Sequence, residues 1–404
     1  MSFIAPIMLK IVWWLERRFQ VNGSAIGALA GGRQRQRLDV ALRYFKWKKL
    51  LNFWRIEMQL RAGKSKVQGY PYEWEIDTTN ICQLKCPLCH TGLGNIHRDK
   101  GTMHFDTYTK VIDEIRDYCI WLSLYSWGEP FLNKEIDKFV AYAHQAKIAT
   151  IISSNLNKPL TPQMAESLIR AGLDVLIVSI DGTTQEVYEQ YRVTGRLDRV
   201  IDNLKLLAQK KRELGSKTPY IEWKFIVMRQ NEHQIPEARV MAQDLGVDGI
   251  VFKKVDFPLG EQDAEMARRW VPVGDSEFAG NAPFERPYQE QGDRCWRLWR
   301  SAVINWDGGY APCCYLTDAA HDFGNVTNDS IKSIWNNEHY RSARELFKLN
   351  GEPTRDVGCV TCPVYLGTEP AKARGHHLLF QANGHVQAVE VHLVTKGREE
   401  VRKS

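Results

Sequence analysis

Tyr72-Glu73-Trp74-Glu75-Ile76-Asp77-Thr78-Thr79-Asn80-Ile81-Cys82-Gln83-Leu84-Lys85-Cys86-Pro87-Leu88-Cys89 is the stretch that decides how this chain is read. A short apolar strand, Glu73–Asp77, runs into three cysteines spaced x3 and then x2. Three thiolates this close can hold three corners of an iron–sulfur cube. A [4Fe–4S] cluster has four irons, so one stays open to bind and reduce a small molecule. A structural zinc site is the competing reading. Such sites use four ligands, usually in C-x2-C or C-x4-C pairs, and the x3–x2 spacing supplies two such pairs poorly.

Working outward from this stretch, the pattern alternates. Short apolar strands are expected at Glu73–Asp77, Ile120–Tyr125, Ala149–Ser153, Val175–Ile180, Tyr220–Val227 and Gly249–Val255. Helical periodicity lies between them at Asp106–Tyr118, Lys134–Gln145, Pro162–Ala171, Leu197–Glu213 and Ile235–Leu245. Six strands alternating with helices predict a parallel sheet with right-handed crossovers. The count fits an open, partial (β/α)6 barrel, short of the eight units of a closed one. The α/β core spans residues 71–256, a Pro- and Gly-containing linker spans 257–293, and a small cysteine-rich unit spans 294–366. Residues 367–404 form a basic tail.

Nine cysteines in 404 residues, at 82, 86, 89, 119, 295, 313, 314, 359 and 362, are odd in number and locally grouped. That argues against a disulfide framework and fits metal binding in a reducing compartment. The composition, 44% hydrophobic and 25% charged, is that of a soluble globular protein. No apolar run reaches the roughly 20 residues that span a bilayer, so a cytoplasmic location is expected. The net charge of +6 is uneven. Residues 1–70 hold fourteen Lys and Arg against Glu16, Asp39 and Glu57, a net of +11, which leaves −5 for the rest. This arm also carries Trp13, Trp14, Trp47 and Trp54. It reads as helical, with a break at Gly23–Gly32 and a long helix near Leu38–Leu60. A basic aromatic helix fits a membrane surface or another anionic partner. A solvated extension packed on the main domain is the plainer reading.

In a parallel α/β sheet, ligands bind at the carboxyl ends of the strands. The distinctive polar residues fall there. The cysteine loop follows the first strand and Trp127-Gly128-Glu129-Pro130 the second. Ser153-Ser154-Asn155 ends the third, and Ser179 and Asp181 end the fourth. This constellation resembles the radical S-adenosylmethionine (radical SAM) superfamily over roughly Tyr72–Val255. The resemblance implies that Cys82, Cys86 and Cys89 hold a [4Fe–4S] cluster whose open iron chelates S-adenosylmethionine. One electron then cleaves its C–S bond, and the resulting 5′-deoxyadenosyl radical takes a hydrogen atom from substrate. It further implies that Trp127, Gly128, Glu129 and Pro130 stand for the family's Gly-Gly-Glu-Pro motif at the methionyl amine. Ser179, Asp181 and Asn155 would lie near the ribose. Arg192 and Lys224 are candidates for the methionyl carboxylate. Two departures stand out: Trp127 replaces a glycine, so its side chain must point elsewhere, and Leu88 stands where many members have an aromatic residue. Singly, Ser179 and Asp181 could cap a helix, Arg192 could form a surface ion pair, and Gly128–Pro130 could be a turn.

Cys295, Cys313, Cys359 and Cys362 offer four further ligands. Asp307 to Cys313 resembles the Gly-x4-Cys element of SPASM and shorter "twitch" auxiliary domains, which implies a second [4Fe–4S] cluster that relays electrons. Cys314 competes with Cys313, and the spacing from Gly308 favours Cys313. A four-cysteine zinc knuckle is the alternative. Cys119 reads as a core residue. The resemblance implies a net oxidation or related modification of an unidentified substrate, with an electron donor such as flavodoxin or ferredoxin. The helical basic arm favours a sugar, lipid-linked or polysaccharide-type intermediate. A peptide or protein maturase, of the ribosomal-peptide or sulfatase-activating kind, is the alternative, and a non-catalytic zinc scaffold is the alternative of another class. No nucleic acid is expected as partner. His90, beside the cysteine loop, reads as structural.

Overall fold

The computed structural model describes residues 43–255, 264–273, 276–279 and 294–376. The amphipathic patterns fold as their periods dictate. The first described helix, α1, is Trp47–Arg61, and a short α2, His90–Leu93, follows the cysteine loop. Helix α3, Phe105–Ile115, buries Tyr108, Val111, Ile112 and Ile115. Helix α4, Ile136–Gln145, buries Ile136, Phe139, Val140 and Ala143 at the same spacing. Helix α5, Pro162–Arg170, starts where the Thr161 hydroxyl accepts from the Met164 N–H, with Pro162 in its first turn. Helices α6, Gln185–Tyr191, α7, Leu197–Glu213, and α8, Ile235–Asp244, complete the layer. The short α6 is not foreshadowed by periodicity, because seven residues give only two turns. Its start is set by a Thr184 cap.

Strands β1 (Glu73–Ile76), β2 (Trp121–Ser123), β3 (Ala149–Ser154), β4 (Val175–Ser179), β5 (Tyr220–Val227) and β6 (Gly249–Lys254) pair in parallel in the order 6-5-4-3-2-1. This is the open (β/α)6 arrangement expected. A parallel strand covered on both faces should be apolar throughout, but these strands alternate. Trp74, Ile76, Leu122, Ile152, Leu176 and Val178 are buried under the helices. The other face presents Glu75, Ser123, Ser153 and Lys224, which is the composition of a binding surface.

The cysteine-rich unit does not stand apart. Its strand β7, Ser301–Ile304, pairs in parallel with β1, Glu73 opposite Ser301 and Ile76 opposite Ile304. Strands β8, Gly309–Ala311, and β9, Gly324–Asn325, continue antiparallel, giving a nine-stranded sheet. A four-residue apolar run such as Ser301–Ile304 carries no sign of which edge it will join. Arg98, from the core loop beyond α2, fastens the hairpin. Its guanidinium is nearly buried and pairs with Asp307 at 2.6 Å and Asp322 at 2.7 Å.

Of the helix expected near Leu38–Leu60, the part Trp47–Arg61 is observed as α1, and the chain is extended at Lys46 just before it. Residues 1–42, with the Gly23–Gly32 break, lie outside the described residues, as do most of the 257–293 linker and the tail beyond His376. Among the described residues no helix is long and apolar enough to cross a membrane.

Replacing Arg98 with Met would leave two carboxylates without their shared cation in a largely desolvated place. The expected loss is about 3 kcal/mol. It is read as a lower denaturant midpoint together with faster proteolysis between residues 305 and 325.

Candidate functional site

The cysteine loop is held in place by its backbone. Thr79 Oγ1 donates to the Gly101 carbonyl at 2.7 Å, and Asn80 bridges to the Asp99 carbonyl and the Gly101 N–H. The Glu129 N–H donates to the Ile81 carbonyl at 2.9 Å, so the loop after β2 lies against the loop after β1. Contact is so close at Gly128 that a Cβ there would sit 1.7 Å from the Thr79 carbonyl oxygen. Only glycine fits. Gly92 is similarly confined, 2.3 Å from the Cys86 carbonyl oxygen by the same construction.

Cys82, Cys86 and Cys89 share one small region, and each reaches a polar neighbour or a helix end. Asn155 Nδ2 donates to Cys82 Sγ at 3.6 Å, and Arg192 Nη1 to Cys86 Sγ at 3.8 Å. Cys89 sits at the amino end of α2. Burial pushes the Cys82 thiol up to about 12, with the neighbouring Glu129, Cys86 and Cys89 adding to it against a hydrogen bond from the Leu84 backbone. Burial also raises Cys86, and the Arg192 charge opposes this. Thiols so placed stay protonated until a metal displaces the proton. Among the described residues no three Cys, His, Asp or Glu side chains stand close enough to hold a metal ion as they are. Three thiols in one loop, two of them with N–H donors on their sulfurs, are nevertheless by their chemistry a donor set that fits an iron–sulfur cluster.

The residues expected at the cofactor divide by what they touch. Glu129 is buried and fully used. Its Oε1 accepts from Ser154 Oγ at 2.7 Å and the Phe131 N–H at 3.1 Å, and its Oε2 from the Asn155 N–H at 2.8 Å. Burial raises its carboxyl. Glu129 therefore braces the ends of β2 and β3, while Pro130 opens a 3-10 turn beneath it. Asp181 is also consumed by the protein. Its Oδ2 accepts from Arg192 Nε at 2.6 Å and its Oδ1 from the Ile226 N–H at 2.7 Å. Arg192 thus lies between Asp181 and Cys86 rather than at the surface. Ser179 is buried at the carboxyl end of β4, directly opposite Lys224. Burial and the Arg192 charge lower Lys224 to about 8. Leu88 packs with Tyr191, Met228, Val255 and Trp270, where Tyr191 and Trp270 supply the nearby aromatic surface.

The second cysteine set gathers at the other side of β1. Burial raises Cys359, and then Cys313, Cys362 and Cys295 raise it further. Burial likewise takes Cys362 up to about 12, with Cys313 and Cys295 as its acidic neighbours. Cys295, pushed up to about 11, has Cys313 beside it. Cys314 shares the Arg297 and Glu75 neighbourhood of Cys313 but does not figure beside Cys295, Cys359 or Cys362. After burial, its main neighbour is Glu75 on β1, followed by Arg297 and Cys313. Cys313 is the thiol grouped with the other three. Cys119 is fully buried in the core.

Trp127 joins the two regions. Its indole Nε1 donates to the Cys314 carbonyl at 2.9 Å, its own carbonyl accepts from Thr91 Oγ1, and its ring meets His90 edge-on at 4.7 Å. The side chain forced away from the narrow turn at Gly128 therefore spans to the cysteine-rich unit. Sequence reasoning missed Gln83, whose amide donates to Asn155 Oδ1 at 2.9 Å, and Asp77. Asp77 is buried with its Oδ1 unpartnered, and the backbone N–H groups of Gly128 and Trp127 lie on the side that favours its charge. Burial, then Glu75, lift its carboxyl to about 8. The signal for it was strand parity, since Glu75 and Asp77 share the polar face.

Gly128→Ala should block assembly of the cysteine loop, seen as loss of iron from a chain that keeps its far-ultraviolet dichroism. For Asp77 the folded value lies above the ordinary 3.8. Its contribution to stability is complete below that ordinary value and is lost as the pH rises through about 8. Asp77→Asn should remove this dependence, so that melting temperatures at about pH 6 and about pH 9 differ less than in the parent chain.

Two family models match the chain: the radical SAM superfamily over residues 76–220, and SPASM, an iron–sulfur cluster-binding domain, over residues 295–363. The tungsten-containing aldehyde ferredoxin oxidoreductase cofactor-modifying protein of Pyrococcus furiosus is 24% identical over 301 residues, covering 68% of this chain and 83% of that protein. The PqqA peptide cyclase of Ruegeria pomeroyi is 23% identical over 279 residues, covering 64% and 72%. The crystal structure of Streptococcus suis SuiB bound to precursor peptide SuiA shares the fold with a TM-score of 0.52 and 16% identity, covering 78% of this chain and 74% of that one. The first domain implies a [4Fe–4S] cluster and S-adenosylmethionine, and the second implies auxiliary iron–sulfur clusters. The chain therefore contains a radical SAM domain over residues 76–220 and a SPASM domain over residues 295–363.

Proposed function

We propose that the chain modifies a peptide by radical chemistry, with a net two-electron oxidation as the outcome. Bound at Cys82, Cys86 and Cys89, the cluster and S-adenosylmethionine supply reductive C–S cleavage and abstraction of a substrate hydrogen atom. The chain's own residues position and exclude. Asn155 and Arg192 hold the sulfurs by N–H donation; Glu129 fixes the end of β3 from which Asn155 projects, and Asp181 pairs with Arg192 at the carboxyl end of α6. Gly128, Ser179 and Lys224 lie on the open polar face where S-adenosylmethionine would be held. Removal of a hydrogen atom leaves a substrate with one unpaired electron. Loss of that electron and a proton would complete the oxidation; Cys295, Cys313, Cys359 and Cys362 would hold the auxiliary iron–sulfur cluster that the SPASM domain implies, and that cluster would supply the electron acceptor. A flavodoxin- or ferredoxin-type donor supplies the first electron.

The observation that carries this reading is Trp127, which touches the first cysteine loop with its backbone and the second unit with its indole. It makes one site of two cysteine sets. The peptide class rests on the relatives, since PqqA peptide cyclase is named for a peptide. The sugar or lipid-linked substrate expected from the basic arm has no counterpart in the relatives named above.

Anaerobic reconstitution should give about eight irons and eight sulfides per chain, the content of two four-iron clusters. Cys295→Ala with Cys313→Ala should retain about four of each. The retained set should still cleave S-adenosylmethionine under dithionite. A chain with Cys82, Cys86 and Cys89 all changed to Ala should not, and zinc as the sole metal would end the proposal. Short peptides encoded beside the chain should lose about 2 Da in its presence, the mass of two hydrogens. Turnover of a nucleotide sugar but no peptide would move the substrate to the other class.

A further inference from the structure

Helix α1 is built inside out. Its inward face carries polar groups: Lys49, Asn52 and Glu57 are buried beside Ile56. Its outward face carries large apolar ones. Trp47 is 68% exposed, Leu51 64%, Trp54 42% and Met58 48%. The spacing of four, three and four places them in one stripe along the helix. A helix that merely faces water shows the opposite arrangement.

The inward polar groups are all matched, which is why the helix keeps this orientation. Lys49 Nζ donates to the Lys147 carbonyl. Asn52 exchanges two hydrogen bonds of 2.8 Å with the Tyr70 backbone. Glu57 receives both nitrogens of Arg300 at 2.7 Å and the Tyr72 hydroxyl at 2.8 Å. Glu57 is the only acid between residues 43 and 70, and it is buried. The charges that α1 itself places beside the outward stripe are therefore all positive. Lys48, Arg55 and Arg61 are exposed, Lys48 being paired with Asp117 at 2.8 Å.

We infer that this face of α1 docks on an anionic lipid surface, with Trp47, Leu51 and Met58 at the acyl boundary and Arg55 among the headgroups. Charge selects this occupant. Residues 1–70 carry a net of +11, so a second copy of the face would be repelled, whereas an anionic bilayer attracts it. The 42 residues before the described chain have the same chemistry. They hold Ile4, Ile7, Ile11, Val12, Trp13, Trp14 and Leu15 with six Lys and Arg. Stable attachment takes two such signals.

The placement of α1 gives the docking a direction. Lys46 and Lys49 reach the carbonyls of Ala146 and Lys147, just before β3, Lys48 reaches Asp117, just before β2, and Arg43 and Tyr44 reach Asp174, just before β4. The helix thus lies across the amino ends of the strands. The first cysteine loop follows β1 and opens at their carboxyl ends, about one strand length, roughly 20 Å, away. A chain lying on lipid through α1 turns its reactive mouth to the aqueous side, and its substrate arrives from there.

The test is co-sedimentation of the full, cluster-loaded chain with vesicles. It should bind phosphatidylcholine vesicles containing about 30% phosphatidylglycerol, bind pure phosphatidylcholine weakly, and release as salt rises. Trp47→Ser, Leu51→Ser and Met58→Ser together should weaken binding at least about tenfold, because three apolar side chains leave the lipid. Iron content and S-adenosylmethionine cleavage should stay unchanged, which separates this result from any failure of the catalytic reading. No binding by the parent chain would overturn the inference, as would equal binding by the triple variant. A dimer that the same substitutions dissolve would assign the stripe to a second copy and overturn it too.

Discussion

The parallel pairing of β7 with β1 is the constraint on which the rest of this molecule depends. Strand β1 sends its carboxyl end into the first cysteine loop, and β7 leads into the hairpin that carries Cys313. Backbone hydrogen bonds from Tyr72 N to Arg300 O through Asp77 N to Ile304 O set the register. A shift of one residue would turn Glu75 and Asp77 from the polar face into the apolar layer occupied by Trp74 and Ile76. It would also separate Trp127 from Cys314. The sheet thus fixes the spatial relation of two cysteine sets more than two hundred residues apart.

Desolvation gives the polar face its second character. Carboxylates, thiols and a lysine sit where water is scarce, and each is either matched or shifted toward its neutral form. Glu129 and Asp181 are matched through both oxygens. Asp77, Cys82 and Lys224 are shifted, to about 8, about 12 and about 8. The groups that hold the site together are therefore distinct from those free to respond when a metal or a charged ligand arrives. The orientation of α1 follows the same rule in reverse. Its polar side chains are drawn inward because Arg300, Tyr70 and Lys147 satisfy them, and the apolar stripe is left outside as a consequence.

Much of this was legible from local pattern. The x3–x2 cysteine spacing, six of the strands and five of the helices follow from short-range periodicity, because side-chain direction repeats every two or 3.6 residues. Other features were not legible. Glu129 and Asp181 occupy expected positions, yet the residues they bind lie between 2 and 45 apart in sequence, and periodicity carries nothing about those partners. Lys49 and Glu57 look like solvated charges until their distant partners are known.

By itself the sequence determined the chemistry on offer: three thiols at a spacing that suits a cluster with one open iron, and four more thiols grouped in a second unit. The tertiary structure alone decided which of these meet. It put β7 beside β1, brought Cys313 beside Cys295, Cys359 and Cys362, sent the Trp127 indole to the second unit, and turned the apolar stripe of α1 outward. The physical reason is that composition and spacing act along the chain, whereas desolvation and hydrogen-bond matching act through space.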